Sequence, residues 1–257
     1  MIYFLTDLDN TLFQSSNQNV PISDLITAAV SRDGYPLSFC RKKQCELIKL
    51  MMTQGTVIPV TGRNYDSFSR VKLSFSDHLA ILNFGGIILN RLGEIDYDYR
   101  SIMSKYLIPF RPKLENIFIK TKELIQHYDL TIVPKIISDD GLSFYIQFKT
   151  KPIEIIETSY HDYDILYNEL LRDSLNTGDF YLYRNGKQFA LLPCQVNKKS
   201  AVYFLIDHYL NDATLLFGLG DSMDDFGFMS LCDYALFPTN SQMEYCLRQA
   251  SKKMEIL

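Results

Sequence analysis

The sequence predicts an α/β fold, a parallel sheet interrupted by an inserted α+β module. Three observations carry that reading. From Ile2 to Asn83, short apolar runs alternate with helix-spaced stretches. The middle of the chain then changes to paired strands joined by Asp-Gly and Asn-Gly turns. After Asn197 the strand–helix alternation returns. Alternating strands and helices mark a parallel sheet, whereas hairpins interleaved with helices mark an α+β layer. No long linker flanks the middle stretch, so it reads as an insertion. Residues 1–86 and 192–257 are expected to form one discontinuous core, and 87–191 the inserted domain.

The elements follow in order. Ile2-Tyr-Phe-Leu-Thr6 is a short apolar run that fits a buried parallel strand. It ends abruptly in Asp7 and Asp9, with Asn10 and Thr11 behind them. After a polar loop from Ser15 to Asn19, two apolar stretches flank Asp33-Gly34, which predicts a hairpin able to overhang the first strand's end like a flap. Leu47, Ile48, Met51 and Met52 recur at helical spacing, and Gly55 ends that helix. Thr56 to Thr61 reads as a second buried strand, Asp66 to Phe75 as a helix, and Leu79 to Asn83 as a third strand.

In the insertion, Gly86 to Tyr99 suggests a hairpin around Leu92-Gly93, and Pro112 to Tyr128 a helix. Leu130–Ile137 and Leu142–Phe148 suggest strands joined through Asp139-Asp140-Gly141. Asp162 to Leu175 suggests a helix, and Phe180–Tyr183 with Gln188–Leu192 a hairpin across Asn185-Gly186. Beyond it come a helix from Lys199 to Leu210, a strand from Thr214 into Gly220, and a short helix from Phe226 to Cys232. A strand from Tyr234 to Phe237 and a helix from Ser241 to Lys252 complete the pattern.

Composition narrows the function. The 257 residues are 47% hydrophobic and 22% charged, with a net charge of −4. That balance argues against a nucleic-acid binder that relies on a broadly basic surface. No apolar run is long enough for a membrane span, and the acidic start lacks the basic region of a secretory signal. Five cysteines without a CxxC spacing suggest free thiols, so a cytoplasmic location is expected.

The chemistry stands at element boundaries. Residues two apart on a strand share a face, so Asp7 and Asp9 can share a pocket if the strand continues through them. Two carboxylates 4 Å apart repel by roughly 4 kcal/mol at an effective dielectric near 20, so a cation, a shared proton or a divergence of the chain must relieve them. Thr61-Gly62-Arg63, Lys198 and Asp221-Ser-Met-Asp224-Asp225 mark three further boundaries. Singly, each has an ordinary reading as a cap, a surface charge or a partner of a helix dipole.

In this order and on this background, the set resembles the haloacid dehalogenase superfamily, in particular its phosphatases. Asp7-Leu-Asp9-Asn10-Thr11 is similar to the first motif of that family, Thr61 to the second, Lys198 to the third and Gly220-Asp-Ser-Met-Asp-Asp225 to the fourth. The insertion between the second and third motifs resembles that of the Cof-type, sucrose-phosphate and mannosylphosphoglycerate phosphatases. The resemblance implies a Rossmann-like parallel sheet core with an inserted α+β cap domain of the C2 type. It also implies a Mg2+-dependent phosphatase of a small phosphorylated metabolite, sugar-phosphate-like, working through an aspartyl-phosphate. Asp7 would be the nucleophile and Asp9 the proton donor and acceptor. Asp7, Asp221, the backbone carbonyl of Asp9 and Asp225 would surround the Mg2+. Thr61, Gly62 and Lys198 would hold the phosphoryl group, with Asn10, Arg63 and Asp224 also assigned to phosphate or substrate. The spacing to Ser200-Ala201 favours Lys198 over Lys199.

One position departs from the pattern. Asp224 stands where relatives with this cap commonly carry Asn, and another ionised carboxylate there would overload the site. It is expected to turn away, to be protonated, or to pair with Arg63 or Lys199. Candidate substrate contacts in the insertion are Arg184, Asn185, Lys187, Lys135, Ser143, Tyr145 and Gln147. Rival readings are a phosphomutase of the same fold and a sensor that binds a phosphorylated ligand without turnover.

Overall fold

A computed structural model of the chain describes residues 1–15, 25–75, 77–150, 156–185 and 188–254. Part of the loop expected from Ser15 to Asn19, and Gly186 and Lys187 of the last hairpin, lie outside the described residues. The chain forms two compact units, Met1–Arg100 with Asn197–Leu257 and, between them, Ser101–Val196.

In chain order, the first stretch contains β1 (Ile2–Thr6), β2 (Gln14–Ser15), β3 (Leu25–Val30), β4 (Pro36–Arg41), α1 (Lys42–Gln54), β5 (Thr56–Pro59), α2 (Tyr65–Phe68), β6 (Ala80–Leu82) and β7 (Ile87–Leu89). The long helix α3 (Tyr97–Tyr128) leads into β8 (Ile132–Asp139), β9 (Leu142–Thr150) and α4 (Ile156–Leu166). A π-helical turn at Tyr167–Leu171 joins α4 to α5 (Arg172–Asn176), and β10 (Phe180–Asn185) and β11 (Gln188–Pro193) follow. The chain then forms α6 (Lys198–Tyr209), β12 (Leu215–Leu219), α7 (Met223–Met229), β13 (Tyr234–Leu236) and α8 (Gln242–Met254).

The core sheet is parallel, in the order β13-β12-β1-β5. A bridge from Val60 to Ile81 carries the pairing on to β6, and β7 returns antiparallel to β6. From β1 the chain builds to one side, through β5; β12 and β13 later fill the other. The carboxyl end of β1 is therefore the point where strand order reverses, the usual ligand site of open α/β sheets. The strand is apolar throughout because both faces are covered. Phe4 stacks on Phe217 at 5.0 Å, and Phe4, Leu8, Leu12, Phe13, Ile48 and Met51 share one buried cluster.

The hairpin expected around Asp33-Gly34 forms from β3 and β4, with Gly34 at φ 83. It is not a free-standing flap. The segment expected to be a helix from Asp66 to Phe75 is helical only through α2. It then runs extended along β3, with Lys72 N–H donating to Ala28 O, Val30 N–H to Arg70 O, and a bridge from Ala29 to Val71. Pairing with a sheet edge overrides the local helical pattern there.

Two other helices differ from expectation. α3 begins at Tyr97, not Pro112, and contains Pro109 and Pro112. A helical proline strips the carbonyl four residues earlier of its donor. Those carbonyls belong to Lys105 and Ile108, both on exposed residues, where water can replace the lost bond. The helix expected from Asp162 begins at Ile156 and passes through the π-helical turn.

The second unit carries an antiparallel sheet in the order β10-β11-β9-β8. Asp140 at φ 48 and Gly141 at φ 76 close the β8–β9 turn, the left-handed pair that a two-residue hairpin needs. Its core packs Leu114, Ile146, Phe148, Tyr163, Phe189 and Leu191 together, with Tyr163 stacked on Phe189 at 4.0 Å. Among the described residues, no helix is long and apolar enough to cross a membrane.

Candidate active site

β1 delivers Asp7 as its ladder ends, with Asp7 N–H donating to Leu219 O at 2.8 Å. Next to β1, β12 runs through Gly220 into Asp221, and the turn continues into α7. Asp225 lies one turn along α7 and folds back. Its Oδ2 accepts from Ser222 N–H at 3.0 Å and from Ser222 Oγ at 2.6 Å. Gly220 is required for this return, because a Cβ there would lie 2.3 Å from the Asp225 Cβ. The Ser222/Asp225 exchange is a capping box, legible in the sequence as Ser-x-x-Asp.

These elements gather Asp7, Asp221 and Asp225, all buried, with carboxylate oxygens within 4.8 Å of one another. Lys198 enters from the start of α6, where the Asn197 side chain caps the helix by accepting from Ser200 N–H. Its Nζ donates to Asp7 Oδ1 at 2.7 Å and to Asp225 Oδ1 at 2.6 Å. The neighbouring Lys199 is exposed, so geometry separates the two lysines. Burial holds the Asp7 carboxyl well above the ordinary carboxylate range; the Lys198 ammonium pulls it down, and Asp225 and Asp221 push it up.

Asp9 does not join this cluster. The chain diverges after Asp7, and Arg63 takes Asp9 in a two-pronged pair, Nε to Oδ2 at 2.7 Å and Nη2 to Oδ1 at 2.8 Å. Divergence, one of the three ways expected to relieve Asp7 and Asp9, thus operates together with a separate cation for each. Asn10 follows with φ 65 and is exposed; its N–H donates to Phe13 O at 2.6 Å. Thr11 is buried, and its hydroxyl donates to Asp7 Oδ2 at 3.4 Å.

Thr61 is buried at the end of β5, one strand over from Asp7. Its Oγ1 accepts from Arg63 N–H at 3.1 Å. Gly62 lies under the Phe84 ring, which a Cβ would approach to 2.4 Å. Among the described residues Asp224 forms no ion pair with Arg63 or Lys199, and it is only partly exposed. Its Oδ2 is buried without a hydrogen-bond partner, and burial raises its pKa against the pull of Lys198. Of the outcomes expected for Asp224, the protonated one fits this environment.

The insertion candidates divide between two faces of the second sheet. Lys135, Gln147, Ala190 and Tyr183 are successive register partners across all four strands and so share a face, which Tyr145 also occupies. Arg184 pairs with Phe189 and packs over its ring at 4.9 Å, on the face that carries the apolar core. Ser143 meets Ser138 at 3.1 Å. Lys187 and the Asn185 side chain lie outside the described part.

No protein-family model matches the chain, and no characterised protein matches it by sequence. Solved structures do match. The sucrose-phosphatase of Synechocystis, in complex with sucrose and phosphate, aligns with a TM-score of 0.56 over 95% of this chain and 85% of that one, at 19% identity. The C-terminal domain of C. albicans trehalose-6-phosphate phosphatase aligns at 0.57 over 89% and 73%, at 14% identity. IMP-bound IMP-nucleotidase of Plasmodium falciparum aligns at 0.52 over 96% and 67%, also at 14% identity. Identities this low establish a shared architecture. The chain therefore shares the fold of these solved structures.

Proposed function

We propose that the chain is a Mg2+-dependent phosphatase of a small phosphorylated metabolite, acting through an aspartyl-phosphate on Asp7. The observation that carries this reading is the buried trio Asp7, Asp221 and Asp225, held against Lys198. Three carboxylates against one ammonium leave about two negative charges uncompensated if all ionise. Hard oxygen donors with that excess fit Mg2+. Asp7, Asp221 and Asp225 would hold it, together with the Asp9 backbone carbonyl. Bound there, the cation would neutralise charge on the transferring phosphoryl group.

The residues divide the work. A carboxylate oxygen of Asp7 attacks phosphorus as the bond to the leaving oxygen breaks, and Asp9, which has to enter this step protonated and not as the anion it presents to Arg63 in the resting chain, gives that oxygen its proton. Water then attacks the aspartyl-phosphate and loses a proton to Asp9. The bond from phosphorus to Asp7 breaks and inorganic phosphate leaves. Thr61 Oγ accepts the Arg63 N–H, so its own proton can point at a phosphoryl oxygen. Gly62 N–H and Lys198 Nζ would hold the others, where preorganised donors contribute most to catalysis.

Sugar phosphates are the first substrate class to test, since the structures with this fold include a sucrose-phosphatase and a trehalose-6-phosphate phosphatase. Five free cysteines suit a reducing compartment, and we place the enzyme in the cytoplasm.

Release of phosphate from p-nitrophenyl phosphate with Mg2+, abolished by chelation and by Asp7→Asn, is the expected result. A panel of phosphorylated sugars then identifies the class. Tight binding of a phosphorylated sugar without any release of phosphate would overturn this reading in favour of a sensor.

A further inference from the structure

The Arg63 side chain, which the resemblance assigns to phosphate or substrate, has its donors engaged elsewhere. Resting on the phosphatase reading, we infer that Arg63 is a positioning residue for Asp9 and not a ligand of the substrate phosphate. Its Nε and one Nη2 hydrogen go to the two oxygens of Asp9. Nη1 donates to Ser67 O at 3.2 Å, and Nη2 reaches Ser38 Oγ at 3.4 Å. A guanidinium has five N–H donors, so four are already engaged. The Phe13 ring supports the guanidinium from one side, 5.1 Å from Cζ. Little of this group is left for a phosphate.

The anchors explain why the residue is fixed. Ser67 is on α2, whose first turn is capped by the Asn64 side chain. Ser38 is on β4 of the hairpin, which the extended segment after α2 stitches in place along β3. Phe13 belongs to the core cluster behind β1. Three separate supports therefore set the plane of the guanidinium. A planar fork with two parallel bonds fixes the carboxylate plane as well as its position, which a lysine cannot do. Asp9 is thus aimed by a built support, although it ends no strand and lies in a loop.

The reaction gives this a distinctive readout. Asp9 passes a proton to the leaving oxygen, and leaving groups need that proton unequally. A simple alkoxide depends on it; p-nitrophenolate leaves readily without it. Mis-aiming Asp9 should therefore slow turnover of an alkyl phosphate far more than turnover of p-nitrophenyl phosphate. A phosphate ligand, in contrast, would weaken binding of both equally.

The test compares wild type, Arg63→Ala and Arg63→Lys on glucose 6-phosphate and p-nitrophenyl phosphate, with inorganic phosphate as inhibitor. The expected result is a fall in kcat of about 100-fold on the alkyl phosphate, the scale of general acid–base catalysis, and of only a fewfold on the aryl one. KM and phosphate inhibition stay within about twofold of wild type by this reading. Added guanidinium recovers part of the activity of Arg63→Ala, and Arg63→Lys, which keeps the charge and loses the fork, stays impaired. If Arg63→Ala does not fold, Arg63→Lys carries the comparison. A large rise in KM and weakened phosphate inhibition at unchanged kcat overturn the inference, as do equal losses on the two leaving groups. If the wild-type protein releases phosphate from neither substrate nor from any other phosphorylated sugar, the phosphatase reading itself falls, and this one with it.

Discussion

Two charge clusters stand side by side at the end of β1, and they are built on opposite terms. Arg63 and Asp9 match one cation with one anion, with side chains 12% and 33% exposed. Lys198, Asp7 and Asp225 are nearly sealed, at 3%, 8% and 1%, and Asp221 is buried with them. The first is complete as it stands. The second concentrates like charge where water cannot screen it. Two carboxylates about 4.8 Å apart repel by roughly 3 kcal/mol at an effective dielectric near 20. Lys198 offsets only part of that. Buried ion pairs often contribute little net stability even when balanced, so this cluster is hard to explain as scaffolding. Its composition makes sense if a divalent cation completes it, whereas the Arg63–Asp9 pair needs no addition.

The sharpest way to break the contrast is Asp7→Asn. If Asp7 is the nucleophile as proposed, removing it should lower phosphatase activity by about four orders of magnitude or more. The same change relieves repulsion in the metal-free protein, so its melting temperature should not fall. A protein that loses activity while holding or gaining stability separates this cluster from an ordinary structural ion pair. Circular dichroism melting beside a phosphate-release assay reads both. Breaking the balanced pair should act differently. Arg63→Ala leaves Asp9 without two charge-assisted hydrogen bonds and should cost about 1–3 kcal/mol, with or without Mg2+.

Mg2+ and pH sharpen the comparison further. The Asp7 pKa is raised by burial, so the folded protein holds that proton more tightly than the unfolded chain does. The stabilisation from the bound proton is complete below the ordinary carboxylate pKa and is lost as pH rises through the raised folded-state value. The metal-free protein should therefore lose stability as pH climbs out of the ordinary carboxylate range. Mg2+ held at Asp7 as proposed would compete with the proton, so its stabilising effect should be larger at neutral pH than near pH 5. At about 100 times its Kd a ligand adds roughly 2.7 kcal/mol, which for a chain of this size is about 5–10 °C. A melting temperature indifferent to Mg2+ at every pH would remove the cation from the account.

How much of this was legible in the sequence differs between the clusters for a physical reason. Asp7, Lys198, Asp221 and Asp225 stand where strands end and helices begin. Position along a parallel sheet places such residues at one edge, whatever the rest of the chain does. The Arg63–Asp9 pair was not legible, because it depends on loop directions after Asp7 and Thr61. Nor was Ser38, whose part comes from the hairpin being stitched to the segment after α2. That stitching is also why the helix expected to reach Phe75 stops at Phe68: a strand edge across the chain outbid the local periodicity. Ser222 could have been found, since Ser-x-x-Asp before a helix announces a capping box. In the insertion, Arg184 and Tyr145 read alike as polar or aromatic strand residues. Only the register puts them on opposite faces.

The smallest expected effect comes from Asp224, which borders the unbalanced cluster without belonging to it. Its Oδ2 is buried and lacks a hydrogen-bond partner, and its pKa is raised chiefly by burial. Such a carboxyl is least costly when protonated, and as pH rises through its folded-state value that relief is lost. Asp224→Asn keeps the shape and removes the charge. Melting temperatures should match wild type in acid and exceed it slightly at neutral pH, by less than about 1 kcal/mol in stability, the scale of a modest change outside the main core. An ionised Asp224 would also repel an incoming phosphate, so Asp224→Asn should flatten any loss of activity on the alkaline side. If neither the pH profile of activity nor that of stability changes, Asp224 exerts no charge on the site, and the excess that calls for a cation resides entirely in Asp7, Asp221 and Asp225.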